Sequence, residues 1–366
     1  MSTLSAPPLA KSHDEPAVSL WRDAWHRLKR NKLAVFGLVM VMLLAFTALF
    51  GPLLTPFDYL SQNLESRNLA PSLSHLFGTD DLGRDVFSRV VYGTRTAFLV
   101  AVIVTFIAVV IGVTLGAIAG FFGGAWDRII MWLTDMTMSV PNLLLVVVIN
   151  ASLKTPIATW MESRYMATLN PFYRETVWID FLLVFGSMAL ISWPPYARLV
   201  RAQVLSIRSR PYVTAAQALG LTNWIIIRRY IVPNSLGPLI VSVSAGLGTA
   251  MVLESAFSFL GVGVNPPTPS WGNMISDGLR VWQHYPHLLA APAAVLGLAS
   301  VAFSFLGDGL NDALNPRGTN DQSQQHDPSA RCSRPDDRHR WPQWSRHRGR
   351  WHRPACQPRR NAGCGR

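Results

Sequence analysis

The 366-residue sequence predicts an all-α polytopic membrane protein with six transmembrane helices. Three observations carry this expectation. Six apolar stretches lie between residues 33 and 307, each close to the roughly 20 residues that cross a bilayer. Charged residues form 15% of the chain and hydrophobic residues 49%, whereas an ordinary soluble domain carries about 25% charged residues. Basic residues collect beside the apolar stretches and in residues 331–366. This composition excludes global disorder and argues against a cytosolic enzyme.

Residues 1–32 form an N-terminal segment ending in Arg22, Arg27, Lys29, Arg30 and Lys32, with Asp23 beside them. Lys and Arg flanking a span mark its cytoplasmic side. Residues 33–54 are the first span, without a charge. It starts late and is followed by Pro52 and Pro56 instead of a small-residue cleavage site, so it reads as a retained helix and not a signal peptide. Residues 55–96 then lie outside. Their Arg67, Arg84, Arg89 and Arg95 run against the charge rule, accompanied by Asp58, Glu65, Asp80, Asp81 and Asp85. Arg84 and Arg89 suit a packed hydrogen-bond network with the neighbouring acids better than those acids suit a metal.

Residues 97–124 are the second span. Gly112, Gly116, Gly120 and Gly124 recur every four residues there, a small-residue face that lets another helix come close. The third and fourth spans are residues 129–150, with Asp135 inside, and 179–197, with Asp180 at the edge. Pro141, Pro194, Pro195 and Pro238 permit kinks. The mixed-charge segment 151–178 lies outside. Residues 198–234 hold Arg198, Arg201, Arg208, Arg210, Arg228 and Arg229 without an acid, and are cytoplasmic.

Within that loop, Pro211 suits a helix start and residues 212–219 are good helix formers. Gly220 suits a C-terminal cap. A second short helix runs from Thr222 to about Ile231, and Pro233 ends it. This bent element reads either as a docking element for another protein or as an amphipathic surface on lipid headgroups. Residues 235–261 are the fifth span, with Glu254 in its outer half. Residues 262–287 are a turn-rich outer segment in which Trp271, Trp282 and Tyr285 suit a headgroup-level aromatic belt. Residues 288–307 are the sixth span. Ionisable residues within spans are functional candidates, so Asp135 and Glu254 read either as gating groups or as buried groups bonded to a neighbouring helix.

Residues 311–366 form a cytoplasmic tail. Eleven Arg and two Asp give residues 331–366 a charge of +9 out of the chain's +12. That stretch lacks Lys, Leu, Ile, Val and Phe, cannot build an apolar core, and reads as disordered or as a frameshifted end after about residue 317. All three Cys lie there, so the body has no disulfide framework. The sequence contains no phosphate-binding G-x-x-x-x-G-K-[ST] loop, no H-E-x-x-H and no G-x-S-x-G. It offers no cofactor or metal site and no nucleic-acid partner.

Four motifs in order resemble a known family: HLFGTDDLGRDVFSRVVYGTRT before the second span, TAAQALG with IVP in the cytoplasmic loop, LESAFSFLGVGVNPPTPSWGNMI from the fifth span, and FSFLGDGLNDALNPR at 303–317. Over about residues 20–317 the chain resembles the second permease subunit of bacterial ATP-binding-cassette importers for dipeptides, oligopeptides and nickel. In the family's cytoplasmic signature, Ala215, Ala216, Gly220 and Pro233 match, while Thr214 replaces a Glu. The resemblance implies a five-helix permease core over 97–310, with 198–234 as a coupling loop that docks on an ATPase subunit. It further implies a homologous second permease, two ATP-binding subunits that hold ATP and Mg, an external substrate-binding protein, surrounding lipid, and both termini inside. Peptide cargo is expected, with nickel or another small solute as the alternative. An ion-driven secondary transporter is the competing class; it would need an internal coupling site or inverted repeats.

Overall fold

Asn31 divides helix α1, Leu20–Arg30, from α2, Lys32–Leu54. Its side chain accepts from the Leu33 and Ala34 amides at 3.1 and 3.3 Å, satisfying donors that a helix start leaves open. The structure, a computed structural model, describes residues 20–170, 177–314, 345–347 and 350–352. The chain divides into two units, 1–315 and 316–366.

In the first unit, residues 55–85 form a cap before α3, containing one short turn of 3-10 helix, Leu64–Ser66. Asp85 then caps α3, Val86–Phe122, by accepting from the Ser88 amide at 2.8 Å. α3 has 37 residues and no proline. It begins 11 residues before the expected span and is about 55 Å long at 1.5 Å per residue. Gly123 turns the chain into α4, Gly124–Ser139, and Pro141 precedes α5, Asn142–Thr168. α6, Val177–Ser192, and α7, Pro194–Arg208, follow. The glycine face of α3 works as expected at three of its four positions. Gly112 lies against Trp193 and Tyr196, Gly116 against Ala197 and Gly120 against Val204, where any Cβ would collide. Gly124 has open space around it and serves the turn instead.

The segment after α7 holds α8, Pro211–Ala218, α9, Asn223–Ile226, a π turn Ile227–Ile231, and α10, Val232–Asn234. After them come α11, Leu236–Phe259, α12, Trp271–Val281, and α13, Pro286–Leu314. α2 and α13 pack closely, with Gly37 against Ala302 and Gly309 against Ala34. Buried Ala97, Ala101, Met251, Trp271, Ala299 and Phe303 join α3, α11, α12 and α13 in one core cluster.

The architecture is that of an all-α polytopic membrane protein. Five described helices are long and apolar enough to cross a membrane: α2, α3, α5, α11 and α13. The expected count of six differs because the stretch 179–197 is divided at Trp193, where Pro194 and Pro195 start α7. The expected span 129–150 is likewise divided, at Val140–Pro141. Pro194 and Pro195 begin a new helix because a missing N–H and a fixed φ suit a first turn, while Pro141 stands at the N-cap of α5. Pro238 also stands in a first turn, that of α11.

Pro233 does not end the helical path. The π turn shifts the ladder so that the Val232 amide bonds Ile227 O. The Asn234 amide side chain then donates to Tyr230 O at 2.5 Å, and the Ser235 hydroxyl to Ile231 O at 2.8 Å. Side chains thus take up carbonyls near the proline's missing donor. The segment 262–287, expected as turns, carries α12, whose Ser270 N-cap accepts from the Gly272 amide at 3.2 Å. Of the second unit, the described part is an antiparallel pair, β1, Ser345–His347, and β2, Arg350–His352. The rest of the tail expected to lack structure lies outside the described residues.

Candidate functional site

Polar networks and exposed apolar groups collect at two ends of the first unit, and the end with the 198–234 loop is named inner, and the opposite one outer, on the expectation that Lys and Arg mark the cytoplasmic side. At the inner end, α7 is tied to its neighbours by arginines. Arg208 Nη1 donates to Gly120 O and Phe121 O at 3.2 Å each, closing carbonyls at the end of α3. Arg201 makes a two-pronged contact with Asp127 of α4, with Nη2 to Oδ2 at 2.7 Å. Hydrogen bonding from Arg201 holds the Asp127 carboxyl below its ordinary value, and the same bond holds the guanidinium above its own. Arg198 Nη2 meets Asp135 at 2.5 Å. Asp135 was expected inside a span; it lies exposed on α4, which the break at Pro141 separates from the spanning α5.

The bent loop element hangs from this end. Val213 and Ala216, three residues apart on α8, are buried in a cluster with Ile207, Ile226, Ile227 and Ile231. The opposite face is exposed and carries Tyr212, Thr214 and Ala215. α8 ends in two bonds, Leu221 N to Ala216 O at 3.2 Å and Gly220 N to Gln217 O at 2.9 Å. That pair is the Schellman closure, and it needs a left-handed residue. Gly220 supplies it, with φ +76° and nothing within 4 Å of where a Cβ would stand. Beyond the turn, Leu219 is 82% and Trp224 is 62% exposed.

Of the loop residues picked out from the sequence, Thr214 and Ala215 therefore face outward and Ala216 faces inward. Gly220 shapes the turn, and Pro233 lies apart from the tip in α10. Sequence reasoning missed Leu219, Trp224 and Tyr212. The inward spacing of Val213 and Ala216 was the available signal, since it fixes which face points away.

At the outer end, Glu254 is fully buried. Its carboxylate accepts from Ser258 Oγ and Ser270 Oγ, both at 2.8 Å, and from Ser255 Oγ at 3.3 Å. Ser258 Oγ in turn accepts from the Val264 amide at 3.0 Å, and Asn273 donates to Val264 O at 2.6 Å. One buried acid thus joins α11, the loop after it and the start of α12. Trp271, expected in an aromatic belt, is wholly buried instead. Its ring lies against Gly93, and its indole donates to Val90 O at 3.1 Å. A buried indole needs an acceptor, and α3 provides one.

The outer cap is a second polar knot. Asp80 accepts from Arg84 Nε at 2.7 Å, from Arg89, and from the Leu82 and Arg84 amides at 3.0 and 2.9 Å. Asp85 accepts from Ser88 Oγ at 2.8 Å and pairs with His75 Nδ1 at 2.9 Å. The network expected for Asp80, Arg84 and Arg89 is present, and His75 is an addition to it. Among the described residues no group of three or more His, Cys, Asp or Glu is placed to hold a metal ion.

Residues 112–319 match the model of the binding-protein-dependent transport system inner membrane component. Residues 19–71 match that of the N-terminal transmembrane domain of oligopeptide transport permease C. The chain is 38% identical to a dipeptide transport system permease protein of Alkalihalophilus pseudofirmus over 301 residues, 82% of this chain and 91% of that one. It is 36% identical to an oligopeptide transport system permease protein of Bacillus subtilis, covering 84% of this chain and 93% of that one. A glutathione transport system permease protein of Escherichia coli is 33% identical, with 86% and 96% covered.

Proposed function

Since the chain belongs to the binding-protein-dependent inner-membrane permeases of ATP-binding-cassette importers, in their peptide-transport branch, we propose that it conducts di- and oligopeptides into a bacterial cell. As a member of that family it is the membrane-spanning, non-catalytic component that works with ATPase subunits. Family membership sets aside the ion-driven alternative. The observation that carries the cargo reading is the likeness, over 82–86% of the chain, to permeases named for dipeptide, oligopeptide and glutathione transport.

In this reading the chain pairs with a homologous second permease. Two ATP-binding subunits, which hold the ATP and Mg, dock below. An external binding protein delivers the peptide, and lipid surrounds the assembly. The chain crosses the inner membrane six times, with α5 as the third crossing and α6 plus the start of α7 as the fourth. Residues 1–32, 198–234 and 311–366 are cytoplasmic. Residues 55–96 are outside, and 97–310 form the core.

The α8–α9 tip enters a groove of an ATPase subunit through Leu219, Trp224 and Tyr212, with Thr214 and Ala215 at the contact. Gly220 sets the bend, Ala216 anchors it, and Pro233 with its π turn joins it to α11. Asp135, through Arg198, is a contact that changes as the inner end opens. Glu254 is a fixed point outside. Such a permease needs two packings of similar free energy whose balance the ATPase pair biases. Purification of the whole importer tests the reading. Leu219→Asp is expected to lose the ATPase subunits and peptide uptake while the two permeases stay together. ATPase retention and uptake at wild-type levels in that variant would sink the docking assignment.

A further inference from the structure

The four arginines of the outer segment are not alike. Arg84 and Arg89 bond Asp80, and Arg67 Nε donates to Asp81 O at 2.6 Å. Arg95 has no hydrogen-bond or ion-pair partner among the described residues. It lies nine residues into α3, about 14 Å along the helix from Val86. It is exposed and stands two residues before the stretch 97–124 that is expected to cross the membrane. Its surroundings are specific. Arg95 lines a cavity of about 360 Å³ with Tyr59, Tyr92, Phe181, Phe185 and Pro269. The Tyr59 and Tyr92 rings pack at 4.4 Å, and the Phe181 and Phe185 rings at 5.3 Å. That volume is within the range of small-ligand sites, which join apolar walls to a few polar groups.

We infer that this cavity is a subsite in which Arg95 takes the terminal carboxylate of a passing peptide while the aromatic walls hold the adjacent side chain. The inference rests on the peptide-cargo reading above. A guanidinium presents a planar fork that matches a carboxylate. Aromatic walls accept many side chains, as a carrier of varied peptides requires. The site therefore reads a group that every unmodified linear peptide carries. A lone arginine at a helix end also reaches lipid phosphate, and that source makes a different prediction.

The test uses the complete importer in proteoliposomes and one tripeptide supplied either as the free acid or as its C-terminal methylamide. The readout is the ratio of free-acid to amide uptake. Wild type is expected to favour the acid, and Arg95→Gln to lower the ratio about tenfold, the size of one charge-assisted hydrogen bond. Leu99→Glu, which lines the same cavity one turn along α3, is expected to occupy the guanidinium and lower the ratio similarly. It gives a second reading if Arg95→Gln fails to assemble. An unchanged ratio in assembled variants, with peptide uptake intact, overturns the subsite and leaves the cargo reading standing; a lipid or permease contact gives that result. A wild-type importer that takes up neither form overturns the cargo reading and the subsite with it.

Discussion

The outer and inner ends of this permease are held by different physics. Outside, Glu254 and Asp80 each gather three or more hydrogen bonds, and Trp271 adds another to α3. Buried polar groups satisfied in this way fix one arrangement, because any displacement strands a donor or a charge. Inside, the loop is pinned by aliphatic contacts from Val213 and Ala216 and by partly exposed ion pairs. Such contacts slide at little cost, and surface pairs contribute about 1 kcal/mol or less. The difference teaches where motion is cheap: at the α8–α9 end, which the proposed docking sets against the ATPase, and not at the end held by Glu254 and Asp80.

Four substitutions break or sharpen that contrast. The largest effect is expected from Glu254→Ala, which leaves three hydroxyls without their acceptor and costs about 3 kcal/mol or more. Thermal unfolding in detergent should show it, and a small shift would mean the outer knot is not what holds that end. Trp224→Ala comes next. Loss of one exposed aromatic anchor should weaken ATPase binding by about 2 kcal/mol, roughly thirtyfold, with little change in unfolding temperature. Titration of purified ATPase against the permease pair separates the two quantities.

Gly220→Ala should cost about 1 kcal/mol, the penalty of a Cβ in a left-handed position. It should act on coupling more than on unfolding, because nothing stands near the missing Cβ. Uptake per ATP hydrolysed is the measurement. Asp127→Asn is the smallest, under about 1 kcal/mol. Arg201 lowers the Asp127 pKa beneath its ordinary 3.8. The pair's contribution is therefore present above that value and fades as pH falls through the lowered one. The stability gap between wild type and variant should accordingly close in strong acid; a gap that widened there would contradict the pair.

Much of this was legible in the residues. Apolar length located α2, α3, α11 and α13, and the four-residue glycine spacing located the α3–α7 contact. Pro211 and Gly220 marked both ends of α8, because each depends on local backbone geometry. The helix breaks were less legible. Hydropathy runs unbroken through Val140–Pro141 and Trp193–Pro194, and only the tertiary path decides whether a proline kinks a helix or starts one. Pro233 was misread because its neighbours Asn234 and Ser235 take over the nearby carbonyls, a remedy that composition does not advertise. Trp271 was misread because a tryptophan near a span end suits the interface, whereas here Gly93 opens a slot for it.

α3 has a mechanical consequence. It is one uninterrupted rod, clasped outside by Trp271 at Val90 O and inside by Arg208 at Gly120 O and Phe121 O. Without a proline it has no built-in hinge. In the proposed coupling, a push on the loop would pass through α7 along the glycine slot and swing the rod about its outer clasp. From Val90 to Phe122 the rod is about 48 Å, so a tilt of about 5° about that pivot moves its inner end by about 4 Å; a fixed pivot at one end turns a small rotation into a stroke at the other.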